Sequence, residues 1–205
     1  GIYSGGDLTI ETGSNIGTAQ GGNATDNNKN GGDGIHSNGI YSDDIHSDGK
    51  IEIKGTIGTA QGGDGISRGG DGIYSNNNLT ISDSAKITNA KGGDSSSGAG
   101  TGGAGICSDG ELIISQSDPS KGATIGIAQG GTATGSSGTG GAGIRSYSSL
   151  TIGNATIGTA KGGDSTGMGG KGGHGIHSGG DLTISGATIG KWKTVGKTKT
   201  PDTDT

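Results

Sequence analysis

Phenylalanine is absent from this chain, tryptophan, cysteine and methionine occur once each, and aromatic residues make up 2% of the whole. Hydrophobic residues reach 25%, against about 45–50% (glycine included) in an ordinary globular domain. A single cysteine, Cys107, excludes a disulfide framework. Two prolines and no strict Gly-X-Y period exclude collagen. No apolar run approaches the roughly 20 residues of a membrane helix, so no membrane insertion is expected of this segment. The net charge of −5 leaves no basic stripe, which argues against a nucleic-acid partner. With no signal peptide and no initiating Met, the chain reads as a mature form or an excised fragment.

What is present is glycine, 52 residues of 205, with 24 each of Ile, Thr and Ser. Composition alone would suit a disordered segment, but the order of the residues does not. Three phrases recur in fixed succession. Gly-Ile-x-Ser begins at Gly1, Gly34, Gly39, Gly72, Gly105, Gly143 and Gly175. Leu-Thr-Ile or a variant begins at Leu8, Ile51, Leu79, Leu112, Leu150 and Leu182. Ile-Gly-Thr-Ala-Gln/Lys-Gly-Gly or a variant begins at Ile16, Ile57, Ile87, Ile125 and Ile157, and is cut short at Ile189.

The spacing is conserved along the chain. Six residues separate the Ile of the first phrase from the start of the second: Ile2 to Leu8, Ile45 to Ile51, Ile73 to Leu79, Ile106 to Leu112, Ile144 to Leu150, Ile176 to Leu182. Twelve residues separate the closing Gly of the third phrase from the next Gly-Ile at Gly22–Gly34, Gly93–Gly105, Gly131–Gly143 and Gly163–Gly175. Length varies only between the second and third phrases and between units, as the two five-residue steps Ile35, Ile40 and Ile45 show. Loops of a solenoid tolerate such variation while the stacked core continues.

Each phrase is too short for a helix and rich in β-branched residues. Alternation places Leu and Ile inside and Thr outside. The spacing therefore predicts an all-β chain: a right-handed parallel β-helix of about six coils, with stacked Gly-rich loops on one side. Residues 1–190 form this domain, and 191–205 are C-terminal cap residues, with Trp192 covering the open core end, followed by a flexible linker. So small an aliphatic core does not offset the entropy of so many ordered glycines. Hydrogen-bond ladders and lateral packing of the Gly segments must add to it.

The residue after each Gly-Ile falls in one outward column: Tyr3, His36, Tyr41, His46, Tyr74, Cys107, Arg145 and His177. Flat amphipathic rings at strand spacing can stack on sugar rings or grip an anionic polymer, so Tyr3, His36, Tyr41, His46, Tyr74, Arg145 and His177 are the candidate ligand-binding residues; an exposed strand face also favours Tyr and His without any ligand. The Ser of each phrase points inward at a corner, where its hydroxyl serves a turn or the next coil. Calcium is the possible cofactor. Asp43, Asp44 and Asp48 form the densest acidic spot and the candidate metal ligands, solvated turn carboxylates being the alternative. The calcium nonapeptide is not matched, because Gly31-Gly32-Asp33-Gly34-Ile35 is followed by His36 where Asp belongs. Asn23, Asp64, Asp94, Thr132 and Asp164 recur after the closing Gly-Gly. Two Thr columns, Thr9, Thr80, Thr151, Thr183 and Thr56, Thr124, Thr156, Thr188, suggest an ice-binding solenoid as a minor alternative, broken by Glu52, Ile113 and Lys86. No enzyme is expected: Arg68 and Arg145 are the only arginines, neither amid an acidic cluster, and the recurrent Ser has no His or acid at fixed spacing.

Gly140-Gly141-Ala142-Gly143-Ile144, Gly172-Gly173-His174-Gly175-Ile176 and Ser178-Gly179-Gly180-Asp181-Leu182-Thr183-Ile184 resemble a class of bacterial cell-surface proteins built from Gly-Gly-x-Gly-Gly-x-Gly-Ile and Leu-Thr-Ile-x-Gly repeats. More loosely, the chain is similar to the calcium-dependent polygalacturonate-binding β-helix family. The resemblance implies an extracellular β-helix displayed on a surface. It implies adhesion or polysaccharide binding, with a surface glycan or host or matrix polymer as partner. A structural stalk or filament subunit that self-associates head to tail is the competing expectation.

Overall fold

The computed structural model describes residues 1–26, 29–37, 41–42, 45–46, 49–116 and 118–193. Three six-stranded parallel sheets run the length of the rod, and every neighbour in each sheet comes from the next coil. The first face stacks Ile2–Ser4, Ile35–Ser37, Ile73–Ser75, Ile106–Ser108, Ile144–Ser146 and Ile176–Ser178. The second stacks the Leu-Thr-Ile phrases from Leu8–Ile10 to Leu182–Ser185, and the third the six-residue strands from Asn15–Gln20 to Thr188–Lys193. The expected right-handed parallel β-helix of six coils is the fold. Among the described residues no helix is long and apolar enough to cross a membrane.

Register turns the repeated words into columns. Ile2, Ile35, Ile73, Ile106, Ile144 and Ile176 lie one above another. So do the Leu and Ile of the second phrase, from Leu79 and Ile81 to Leu112 and Ile114. On the third face Ile87 stacks on Ile57 and Ala90 on Ala60, three residues apart in each strand. Both point inward because strict alternation breaks between them. In the middle coils these side chains are fully buried and form one continuous core. In the last coil Trp192 takes the register position of the inward alanines.

The corner serines behave as their spacing predicts. Ser37, Ser75, Ser108 and Ser146 are fully buried. Ser146 Oγ–H contacts both the Gly110 carbonyl of the coil below and the Ser149 carbonyl of its own turn, each at 2.9 Å.

The Gly-rich loops do stack, and their glycines interdigitate with those that close the third face. Gly32 N–H donates to Gly22, Gly63 to Gly32, Gly70 to Gly63, Gly93 to Gly70 and Gly103 to Gly93. The relay continues through Gly131, Gly141, Gly163 and Gly173, making nine bonds of 2.7–2.9 Å. It zigzags up the rod, touching each of the first five coils twice. A Cβ at Gly102 would land on the carbonyl of Gly131, so only glycine lets the two segments approach this closely. The shortened loop of the second coil keeps its pair, Gly69-Gly70, and the relay is unbroken there.

One expectation is corrected. The strand that feeds the second coil is Ile35–Ser37, paired with Ile2–Ser4 and Ile73–Ser75, and not the phrase at Ile45. Tyr41–Ser42 and Ile45–His46 pair with each other as a two-stranded antiparallel sheet. These two short strands therefore pair with each other instead of adding to the column.

Candidate binding face

Parallel pairing on the first face aligns Tyr3, His36, Tyr74, Cys107, Arg145 and His177 in one column. Tyr41 and His46 pair with each other outside it. Asp43, Asp44 and Asp48, the candidate calcium ligands, lie outside the described residues.

The lower half of the column is an aromatic ladder. The Tyr3 and His36 rings lie 5.3 Å apart and tilted, and the His36 and Tyr74 rings 4.8 Å apart, edge to face. Tyr3 is 67% exposed. His36 is held from behind, where its Nδ1 meets Asp33 Oδ2 at 2.6 Å. A carboxylate only accepts, so Nδ1 carries the proton.

Behind the ladder the residue before each Gly-Ile forms a second column, and here two carboxylates tie successive coils together. Asp33 Oδ1 accepts the Asp71 N–H at 2.6 Å, and Asp71 Oδ1 accepts the Ala104 N–H at 2.5 Å. Asp71 is fully buried, and its other oxygen takes Arg68 Nη2 at 2.7 Å. Burial pushes the Asp71 carboxyl up from the usual carboxylate range, while Arg68 and the Ala104 amide pull it back. Arg68 is paired with this single carboxylate, which the loop brings under it.

The upper half is polar and recessed. Cys107 is the smallest side chain in the column, and its neighbours cover it completely. Burial pushes its thiol well up, with the Asp71 charge adding to the effect. Tyr74 donates its hydroxyl to Asp109 Oδ2 at 2.7 Å; burial and that carboxylate both push its ionisation upward. Arg145 Nη1 donates to the Tyr147 hydroxyl at 3.0 Å, with the guanidinium carbon 5.4 Å from the Tyr147 ring centroid. His177 stacks on His174, ring centroids 5.2 Å apart. Burial, then Arg145 and His174, hold the His177 imidazole below its usual value. Arg68, Tyr74, Asp109 and Tyr147 line an open hollow of about 480 Å³.

Of these lining residues only Tyr74 belongs to the candidate binding set. Asp109 and Tyr147 sit just beyond the strand ends, and Arg68 arrives from a loop. Their available signals were an Asp three residues after Gly-Ile, the fourth tyrosine, and an arginine in the shortened loop.

The other faces hold less. Asn23, Asp64 and Asp94 each accept the backbone N–H of their counterpart one coil up, at 2.7–2.8 Å. These side chains work as a ladder of backbone acceptors. Thr9, Thr80, Thr151 and Thr183 do align, interrupted by Glu52 and Ile113. A further column on the third face reads Thr18, Thr59, Asn89, Ile127 and Thr159. Among the described residues no group of three or more His, Cys, Asp or Glu is placed to hold a metal ion.

The fold and its faces define a repeat scaffold of the parallel β-helix class. No family model, no curated protein and no solved structure matches the chain.

Proposed function

We propose that this chain is a non-catalytic extracellular module that binds polysaccharide along its first face and serves adhesion at a microbial surface. The observation that carries this reading is the Tyr3–His36–Tyr74 ladder. It offers ring faces and edges at the spacing of successive coils, and such rings stack on the apolar face of a sugar. The resemblance to glycine-rich bacterial surface repeats agrees with a displayed module. Asp71, the buried carboxylate nearest the column, is already occupied by the Ala104 N–H and Arg68, which favours a structural over a catalytic part for it.

Affinity electrophoresis against a panel of soluble plant and bacterial polysaccharides tests the reading. The double variant Tyr3→Ser, Tyr74→Ser loses the retardation that the parent shows; equal retardation by a still-folded variant removes the ladder as a site. Melting followed by circular dichroism, with calcium and with EDTA, tests the ion proposed at Asp43, Asp44 and Asp48. A higher Tm with calcium assigns it, and an unchanged Tm removes it.

A stacking unit is the second reading. It rests on Leu182 and Ile184, each 48% exposed where Leu150 and Ile152 one coil below are fully buried. Light scattering that shows growth with concentration supports it, and a monomer at every concentration counts against it.

A further inference from the structure

The hollow lies beside the first face, lined by Arg68, Tyr74, Asp109 and Tyr147. Tyr74 and Tyr147 stem from strands two coils apart, a rise of about 9–10 Å. A six-membered ring in van der Waals contact on both sides needs about 7–8 Å. At about 480 Å³ the hollow suits one sugar unit with its hydroxyls and some water. Tyr74 and Tyr147 bound it, and both hydroxyls are tied back, to Asp109 and from Arg145. Fixed ring orientation limits the entropy lost on binding.

Charge narrows the class. One guanidinium, Arg68, and one carboxylate, Asp109, line the hollow. Their formal charges cancel. Asp71 is closed off by burial, leaving Asp109 as the exposed acceptor and Arg68 as the donor that lines the opening. An acceptor beside a fork of donors matches a pair of neighbouring hydroxyls, each of which donates and accepts.

We propose that this hollow is a subsite for one neutral pyranose unit, seated between Tyr74 and Tyr147 and hydrogen-bonded through neighbouring hydroxyls to Asp109 and Arg68. This rests on the polysaccharide-binding reading and adds the charge class and the seat of one residue of the polymer. An acidic sugar gains nothing from a site of zero net charge and meets Asp109 at its rim.

Nuclear magnetic resonance titration with the methyl glycosides of glucose, galactose and mannose, and with glucuronate, tests it. At least one neutral glycoside shifts the amides of Tyr74, Asp109 and Tyr147 saturably, and glucuronate binds at least tenfold more weakly. Tyr147→Ser removes one wall of the hollow and weakens the glycoside at least tenfold. Asp109→Ser, on an exposed turn, does the same without touching the core. No saturable shift with any neutral glycoside, tighter binding of glucuronate, or full affinity in both variants overturns the proposal. Polysaccharide retardation separates the two readings. If it persists without glycoside binding, only the subsite falls; if it is missing as well, the parent reading falls with it.

Discussion

The guanidinium of Arg68 lies 2.7 Å from the fully buried carboxylate of Asp71, and the pair fastens a loop to the back of the first face. Removing one partner of a buried pair leaves the other charge without compensation. Arg68→Ala should lower stability by about 3 kcal/mol, the lower end of that range, because the arginine side chain is itself 36% exposed and screened. Urea unfolding measures it. A change below about 0.5 kcal/mol would mean that the Ala104 amide suffices for Asp71.

Two glycine substitutions separate packing from mere flexibility. At Gly102 an added Cβ falls on the Gly131 carbonyl, whereas at Gly98 the nearest atom is Ser136 Oγ at 3.6 Å. Gly102→Ala should cost about 3 kcal/mol through forced backbone displacement, and Gly98→Ala should be neutral or slightly stabilising. Equal melting temperatures for the two variants would refute interdigitation as the source of the first effect.

Acid should loosen the upper end of the rod. The His177 imidazole is held below its usual value of 6.5 by burial, Arg145 and His174. The unfolded chain therefore takes up this proton first as pH falls. The contribution is complete above 6.5 and is lost as pH drops through the lower folded value. Tm should fall more steeply below pH 6.5 in the parent than in His177→Asn; parallel pH curves would show that the residue is not linked to folding.

Cys107 should resist alkylation in the folded protein. Its thiol is covered on every side and its ionisation is pushed well up, which removes both access and thiolate. Mass spectrometry after iodoacetamide treatment at pH 8 should find it unmodified until denaturant is added. Rapid labelling of the native chain would contradict the closed packing around the thiol.

Much of the architecture was legible because the repeats carry register. The six-residue step from Gly-Ile-x-Ser to Leu-Thr-Ile set two faces, and alternation within three-letter phrases told inside from outside. The second coil misled because Ile45-His46-Ser47 copies the strand phrase at the correct distance from Ile51. Spacing alone cannot distinguish it from Ile35-His36-Ser37. The pairing of Ile35–Ser37 with both neighbours decided the matter, since a strand between two others satisfies every backbone group. The hollow was hidden for another reason. Arg68 reaches the first face through a loop whose path no strand period encodes.

The glycine relay touches every middle coil at two points, one just after the third face and one just before the first. The stretch between them, such as Ser96 to Gly100, is thus a strap fixed at both ends by bonds other than its own peptide linkages. A protease that cut one strap would not release a free end from the body of the rod. Both stumps would stay docked, so nicked molecules should remain assembled.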